Sequence, residues 1–297
     1  MDFQQFQATA ATTDQVPGTS EKAMLVPLLG LAGEVGTLLS EYKKFLRDGN
    51  AHQRFHEQVA EDLGDLLWYV ANAATKFGLD LEEIAKKNIE KTRGRWPGVI
   101  PPNQSTLFDA HGSHLLDEEY DQAEQIPRSF SVQFEEVIEE DGVHVITRKD
   151  GSQIGNTLTD NAYDDDGYRF HDVFHLSYAA ILGWSPIIRK LLGVKRKSDP
   201  EVDEVEDGAR GRIIEELISQ LVFTYAREHN FLEGVGSLDY HLLKTIQGLV
   251  ADREVSCRSL AEWESAILAG YTVWRAIRNG RGGTVQINLV QRRISVR

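Results

Sequence analysis

The chain of 297 residues predicts a mainly α fold in two parts. An all-helical bundle comes first, and an α+β domain follows, itself a helical bundle with a small antiparallel sheet. Three observations carry this prediction. Long helical patterns run from about residue 22 to 93, broken only at Gly49-Asn50 and at Gly78-Leu79-Asp80. Residues 100–127 are polar, acidic and without period. From Ser129 onward the pattern switches to strand-like alternation, which returns at the C-terminal end. The expected boundaries are 1–99 for the bundle, 100–128 for a linker and 129–297 for the α+β domain.

Taken in order, residues 1–22 open with a short helix carrying Phe3 and Phe6, then turn through Pro17, Gly18, Thr19 and Ser20. Helices are expected at about 22–47, 51–77 and 80–93, with Asp80 as an N-cap, because its carboxylate can satisfy an unpaired N–H of the first turn. Pro97-Gly98 and Pro101-Pro102 end the bundle. Phe130 to Ile138 alternates as a strand. The turn Glu140-Asp141-Gly142 leads to Val143–Arg148, and Lys149-Asp150-Gly151 leads to a third short strand. Asp-Gly between alternating runs marks a hairpin. The tail strands, 284–290 and 293–296, are expected to pair with that hairpin. Helical patterns lie between them at about 168–182, 186–193 with 211–229, 238–251 and 259–279. Trp68, Trp184, Trp263 and Trp274 fall at core positions of these patterns.

Composition narrows the function classes. Hydrophobic residues make up 41% of the chain, enough for ordinary cores. A net charge of −14 argues against broad nucleic-acid binding, which needs a basic footprint. The one cysteine, Cys257, excludes an intramolecular disulfide and fits a reducing cytosol. Met1-Asp2-Phe3-Gln4 lacks the basic start of an export signal, and no apolar run reads as a membrane span. The expectation is a cytoplasmic protein.

The chemistry lies in acids set among apolar neighbours. Glu34 is flanked by Leu31, Ala32, Val35 and Leu38, and Asp65 by Leu63, Leu66, Leu67 and Trp68. Both are expected to be shielded from water. An unpaired buried carboxylate is costly, and no Lys or Arg lies within one turn of either. Such carboxylates need one another and a cation. Oxygen-only ligands point to a hard ion, Mg²⁺ first and Mn²⁺ second. Asp62 and Asp65 share a helix face at i, i+3, as do Glu34, Leu38 and Glu41 at i, i+4, i+7. Two antiparallel helices can point those faces at each other. The alternative is that these acids are ordinary surface or helix-start charges.

Residues 23–96 resemble the MazG-like all-α nucleoside triphosphate pyrophosphohydrolases. The resemblance rests on Glu34-Val35-Gly36-Thr37 followed by Glu41, on Asp62-Leu63-Gly64-Asp65, and on Lys87-Asn88, Lys91, Arg93 and Arg95-Trp96. The entry segment from Phe3 to Gln7 and the run from Gly64 to Ala71 also fit. Thr37 stands where the family carries its second Glu, and Asp62 where it carries a Glu. The resemblance implies that (d)NTP is cut to (d)NMP and pyrophosphate by a homodimer or higher assembly. It implies Glu34, Asp62 and Asp65 as catalytic residues, and Glu34, Glu41, Asp62 and Asp65 as metal ligands. Lys43, Lys44, Asn88, Lys91 and Arg95 would bind substrate, with Arg47 assisting. The alternative function is a catalytically reduced nucleotide-binding sensor, with the C-terminal domain as effector or as a second phosphohydrolase site.

That domain offers a second candidate constellation. His171 and His175 are i, i+4 on one helix face, a spacing that suits a metal or a phosphate. Glu215 and Glu216 sit on an apolar helix downstream. The His171-Asp172 dipeptide invites comparison with HD-type phosphohydrolases, whose other motif members are not evident. The competing expectation is two hydrogen-bonded core histidines. Arg189, Lys190, Lys195, Arg196 and Lys197, followed by the acidic run 199–207, are expected to form a solvated, mobile loop. Asp164-Asp165-Asp166-Gly167 reads as a polar loop.

Overall fold

A computed structural model describes residues 1–95, 114–140 and 142–297. The chain divides into two compact units, Met1–Arg93 and Gly94–Arg297. Trp96, the Pro97-Gly98 and Pro101-Pro102 stops, residues 100–113 of the expected linker and Asp141 lie outside the described residues.

The first unit is helical. Helix α1 spans Phe3–Ala11, α2 Glu21–Asp48, α3 Phe55–Lys76 and α4 Leu81–Arg95, whose last two residues count with the second unit. Short polar side chains set the starts. Asp2 forms a capping box with Gln5, Ser20 accepts from the Ala23 N–H, and the Asp80 carboxylate accepts from the Glu83 N–H at 3.0 Å.

Helices α2 and α3 form an antiparallel hairpin. Phe45 stacks on Phe55 with ring centroids 4.3 Å apart, while Gly30 lies against Tyr69. A Cβ on Gly30 would come within 2.2–2.6 Å of Tyr69 ring atoms, so a larger residue here would force that ring to move. Helix α1 is tied across the other end of α3. Gln7 donates to Leu79 O at 2.8 Å and accepts from the Leu81 N–H, and the Trp68 indole N–H donates to Thr13 at 2.8 Å. Lys76 is buried and pairs with Asp14 and the Val16 carbonyl.

The enclosed apolar cluster of this unit is small: Ala10, Ala71 and Leu81, with Phe6 and Trp68 against them. Most apolar residues of the hairpin face outward. Leu29 is 61% exposed, Leu39 63% and Leu46 69%, and Leu63 and Leu67 on α3 are exposed as well. The sequence predicts helices apolar nearly all round, which holds. It also predicts burial of those surfaces, which within one chain does not. One further expectation needs correction. The stretch Glu21–Ala51 is long and apolar enough to cross a membrane by length and composition, and little of it is buried within the chain.

The second unit is α+β. Strands β1 (Ser129–Glu139), β2 (Gly142–Lys149), β3 (Ser152–Gln153), β4 (Gly282–Asn288) and β5 (Arg293–Val296) form one sheet in the order β3-β2-β1-β4-β5. Every neighbouring pair is antiparallel. The tail pairs with the hairpin as expected: Phe130 lies opposite Ile287, and Val132 opposite Val285. Alternate residues Val132, Phe134, Val145, Val285 and Ile287 are buried on one face of the sheet. Among the described residues six α-helices accompany it: α5 (Asp172–Leu182), α6 (Pro186–Leu192), α7 (Pro200–Val205), α8 (Ala209–Glu228), α9 (Tyr240–Leu249) and α10 (Leu260–Gly280). Every residue of α5 is buried. It packs against α10 where Gly270 leaves room for Ser177, and Trp184, Trp263 and Trp274 are core residues as expected. Trp68, also expected in the core, is only partly buried.

Residues 189–207, expected as a solvated mobile loop, instead contribute Arg189, Arg196, Glu206 and Asp207 to a buried charge network, while Lys190, Lys197, Glu201 and Glu204 are exposed. Arg189 and Arg196 are each 1% exposed. Arg196 makes paired bonds to Glu254 at 2.7 Å and reaches Asp207 at 2.8 Å, while Arg189 donates to Asp117 at 2.8 Å. Helix α7 lies within the acidic run, and Asp207 at its end is fully buried. Charge density on the sequence suggested solvation, but opposite charges at matched distances remove that need. Residues 114–128, expected in the linker, fold into the same unit, because Asp117 also accepts from the Ile126 N–H and from Arg128. In the polar loop, Arg169 is held by Asp160, Asp165 and Glu136.

Removing one member of a buried network strands its partners without compensation. Arg196→Ala should therefore lower the unfolding free energy by about 3–5 kcal/mol. Urea denaturation measures it, and a loss below about 1 kcal/mol would place the stability of this unit elsewhere.

Candidate functional site

The hairpin places the N-terminal acids at common levels. Residue 30 meets residue 69 and residue 45 meets residue 55, so in an antiparallel pair Glu34 lies at the level of Asp65 and Thr37 at that of Asp62. Their surroundings differ. Asp62 is 7% exposed, and its Oδ2 is buried with no hydrogen-bond partner. Glu34 is half-buried and Asp65 is exposed, so the shielding expected of these two is partial for Glu34 and fails for Asp65, while Asp62, of which none was expected, is the buried acid. Asp65 reaches solvent because the flanking Leu63 and Leu67 point outward rather than into a core.

Glu41 is already engaged. It is 5% exposed, pairs with Lys44 and lies 3.0 Å from His52 Nε2. Lys44, followed by His52, holds the Glu41 carboxyl below the usual range. Both its oxygens are therefore committed, and Lys44 is spent on it. His52 was not among the expected site residues. It follows the helix break at Gly49-Asn50, and only the fold brings it to Glu41.

Of the expected phosphate ligands, Lys43, Asn88 and Lys91 are exposed on their helices. Arg47 pairs with Asp48. Arg95 belongs to the second unit, where it donates to the Leu238 carbonyl and the Ser237 hydroxyl and stands 3.8 Å from Glu264.

In the second unit the expected cluster does assemble. His175 and Glu215 are both fully buried, on α5 and α8, with His175 Nδ1 3.0 Å from Glu215 Oε1. Glu215 also accepts from the Ser185 hydroxyl at 2.6 Å and from the Ile187 N–H at 2.9 Å. One carboxylate thus ties α5, α8 and the N-terminus of α6 together, where unpaired N–H groups favour an anion. Ser185 escaped the sequence reading, although Ser185-Pro186 has the signature of a helix start.

The other edge of His175 is less satisfied. Its Nε2 is buried without a hydrogen bond, 3.5 Å from the half-exposed Glu216. Burial alone would lower the imidazole pKa, but Glu215 and then Glu216 outweigh it and push it up to about 10. His171, one turn earlier, has Nδ1 2.9 Å from the Tyr168 carbonyl and stacks on the Tyr168 ring at 4.5 Å. Its Nε2 is 3.9 Å from Asp172 Oδ1. One ligand atom each from His171, Asp172 and His175 fall within 4.8 Å of one another. Among the described residues this is the one such group of three, and Glu34, Asp62 and Asp65 do not form another.

The comparisons with known proteins agree with this layout. Residues 24–100 match the MazG nucleotide pyrophosphohydrolase domain, and residues 111–297 match the MazG C-terminal domain. A curated relative, the Gene 37 protein of Mycobacterium phage L5, is 30% identical over 96 residues, covering 30% of this chain and 84% of that protein. No solved structure matches the chain. A helical hairpin with Glu34 level with Asp65, followed by an α+β unit matched along its whole described length, leads to one conclusion: the chain belongs to the MazG family.

Proposed function

We propose that the chain hydrolyses nucleoside triphosphates, ribo or deoxy, to the monophosphate and pyrophosphate, with Mg²⁺ or Mn²⁺ at the N-terminal carboxylates. The observation that supports this most directly is the unpartnered Asp62 Oδ2, buried on the hairpin at the position of a family acid. A buried carboxylate oxygen without a donor is costly as an anion, and a bound cation would relieve that cost. Glu34, Asp62 and Asp65, whose ligand atoms do not gather within one metal's reach in the single chain, would have to draw together to hold the ion. Glu41 is a poor fourth ligand, since Lys44 and His52 occupy it. When bound, a divalent cation neutralises phosphate charge and polarises the phosphoryl group.

The remaining work falls to side chains of this chain. Lys43, Asn88 and Lys91, exposed on their helices, are assigned to the phosphate chain. Arg95 is assigned with them by the resemblance alone, since it counts with the second unit and donates there to the Leu238 carbonyl. Positioning a triphosphate against fixed carboxylates supplies orientation, the larger share of phosphoryl-transfer catalysis. Thr37 favours a second reading. Its hydroxyl is turned to its own helix, 3.4 Å from the Gly33 carbonyl, and adds no charge at the level of Asp62. A site short of one carboxylate suits a sensor that binds nucleotide without turnover.

Pyrophosphate release from mixed NTPs and dNTPs with Mg²⁺ separates the two. Turnover is expected, and Asp65→Asn should reduce it by roughly 2–4 kcal/mol of transition-state stabilisation. Unchanged release in that variant would remove the hairpin as the catalytic centre, and nucleotide binding with no release would favour the sensor.

We also assign the outward leucines of α2 and α3 to contact with a second copy, and the assembly to the cytoplasm, where nucleotides and Mg²⁺ are at hand. A unit of this size enclosing so few apolar residues gains its stability from association. Sedimentation should give a dimer or larger. Leu39→Glu, at a position 63% exposed in one chain, should shift it toward monomer. A wild-type monomer at micromolar concentration would refute the assignment.

A further inference from the structure

We propose that the second unit carries a separate binding site for a divalent transition-metal ion of the Zn²⁺ class, formed by His171, Asp172, His175 and Glu216. The site is independent of the proposed pyrophosphohydrolase chemistry and shares no residue with it.

The orientation of both histidines is fixed from behind. His175 Nδ1 bonds the Glu215 carboxylate at 3.0 Å, and His171 Nδ1 bonds the Tyr168 carbonyl at 2.9 Å. With Nδ1–H donating, each ring presents Nε2 forward. Metal-binding histidines are held in this way, by a carboxylate or carbonyl on the far nitrogen. Glu215 is itself locked by Ser185 and the Ile187 N–H, so the support cannot swing away. The core-histidine expectation is therefore half right. The rear nitrogens are bonded structurally, whereas His175 Nε2 in front has no hydrogen bond.

The front distances are the second argument. Nε2 of His175 is 3.5 Å from Glu216 Oε2, and Nε2 of His171 is 3.9 Å from Asp172 Oδ1. These are long for hydrogen bonds. Two donors each bound to one ion at about 2.1 Å with a tetrahedral angle lie roughly 3.4 Å apart. The pairs thus stand near the spacing of atoms that share a metal. His175 Nε2, fully buried, without a hydrogen bond and 3.5 Å from Glu216, stands where a metal ion would take the place of the proton that the carboxylates otherwise favour.

The donor set selects the ion. Two imidazoles with two carboxylates suit Zn²⁺ and its transition-metal neighbours better than Mg²⁺ or Ca²⁺, which prefer oxygen alone. The site also has an entry path. The Glu216 side chain is 48% exposed and that of His171 11%, so the cluster opens to solvent on one side. Thr147, buried on β2, sits 3.4 Å from Asp172 Oδ2 and steadies the carboxylate from behind.

The test uses the full chain without a histidine tag, stripped by chelator and titrated with Zn²⁺ alone by calorimetry, with elemental analysis of the dialysed protein. One Zn²⁺ per chain is expected in the wild type and in Asp65→Asn. Glu216→Gln and His171→Gln should each weaken that binding roughly 10-fold or more, the scale seen when even supporting residues of metal sites are lost. Both variants should melt, metal-free, close to the wild type. His175→Gln is a third variant, informative only if folded, since that ring is fully buried. Absence of stoichiometric Zn²⁺ in the wild type would overturn the proposal. So would affinity unchanged in Glu216→Gln and His171→Gln, or Zn²⁺ binding that disappears with Asp65→Asn and survives in those two.

Discussion

Apolar surface that one chain cannot cover is the constraint on which the N-terminal unit depends. Its enclosed cluster is Ala10, Ala71 and Leu81, a small return for four helices. Fixing their backbones costs roughly 1–2 kcal/mol per residue in conformational entropy, and burial has to offset that. The leucines of α2 and α3 that could supply the burial face outward. Two consequences follow. The hairpin geometry must be set by a few specific contacts, such as Gly30 against Tyr69 and Phe45 on Phe55. Any residue along its length also depends for its final environment on what covers the outer faces.

The second unit solves the same problem internally. Its charges are buried with partners already in place: Arg196 with Asp207 and Glu254, Arg189 with Asp117, and Glu215 with three donors. Several buried polar side-chain atoms of the described residues lack a hydrogen bond, and two of them lie in the candidate sites. His175 Nε2 in this unit and Asp62 Oδ2 in the first are buried without a hydrogen bond. Buried polar groups are nearly always satisfied, so an exception at a cluster of acids or histidines is where a ligand is best sought.

Much of this was legible in the sequence, and its failures have one physical origin. Strand alternation and the Asp-Gly turns predicted the hairpin β1–β2, and the β character of the tail predicted its pairing with β1. Helix spacing put His171 and His175 on one face, and acids on an apolar helix singled out Glu215. Periodicity reports which residues avoid water, not which surface covers them. It therefore predicted that Asp65 and Glu34 would be shielded, while the chain leaves Asp65 exposed and Glu34 half-buried. Partners distant in sequence were equally invisible. Nothing local connects Ser185 to Glu215, Asp117 to Arg189 or His52 to Glu41. Charge runs misled for the same reason, since 189–207 looks solvated until its counter-charges are known.

Both proposals for the N-terminal unit turn on whether Asp62 is a carboxylate waiting for a cation. Thermal unfolding of the wild type and of Asp62→Asn, each with and without Mg²⁺, asks this without relying on turnover. A ligand that binds only the folded state at 100 times its Kd adds about 2.7 kcal/mol. The account predicts that Mg²⁺ raises the wild-type melting temperature. It further predicts that Asp62→Asn melts no lower than the wild type without Mg²⁺, because an uncompensated buried charge has gone, and that it gains little from the ion. A wild type indifferent to Mg²⁺, together with an Asn variant that melts well below it, would contradict the account.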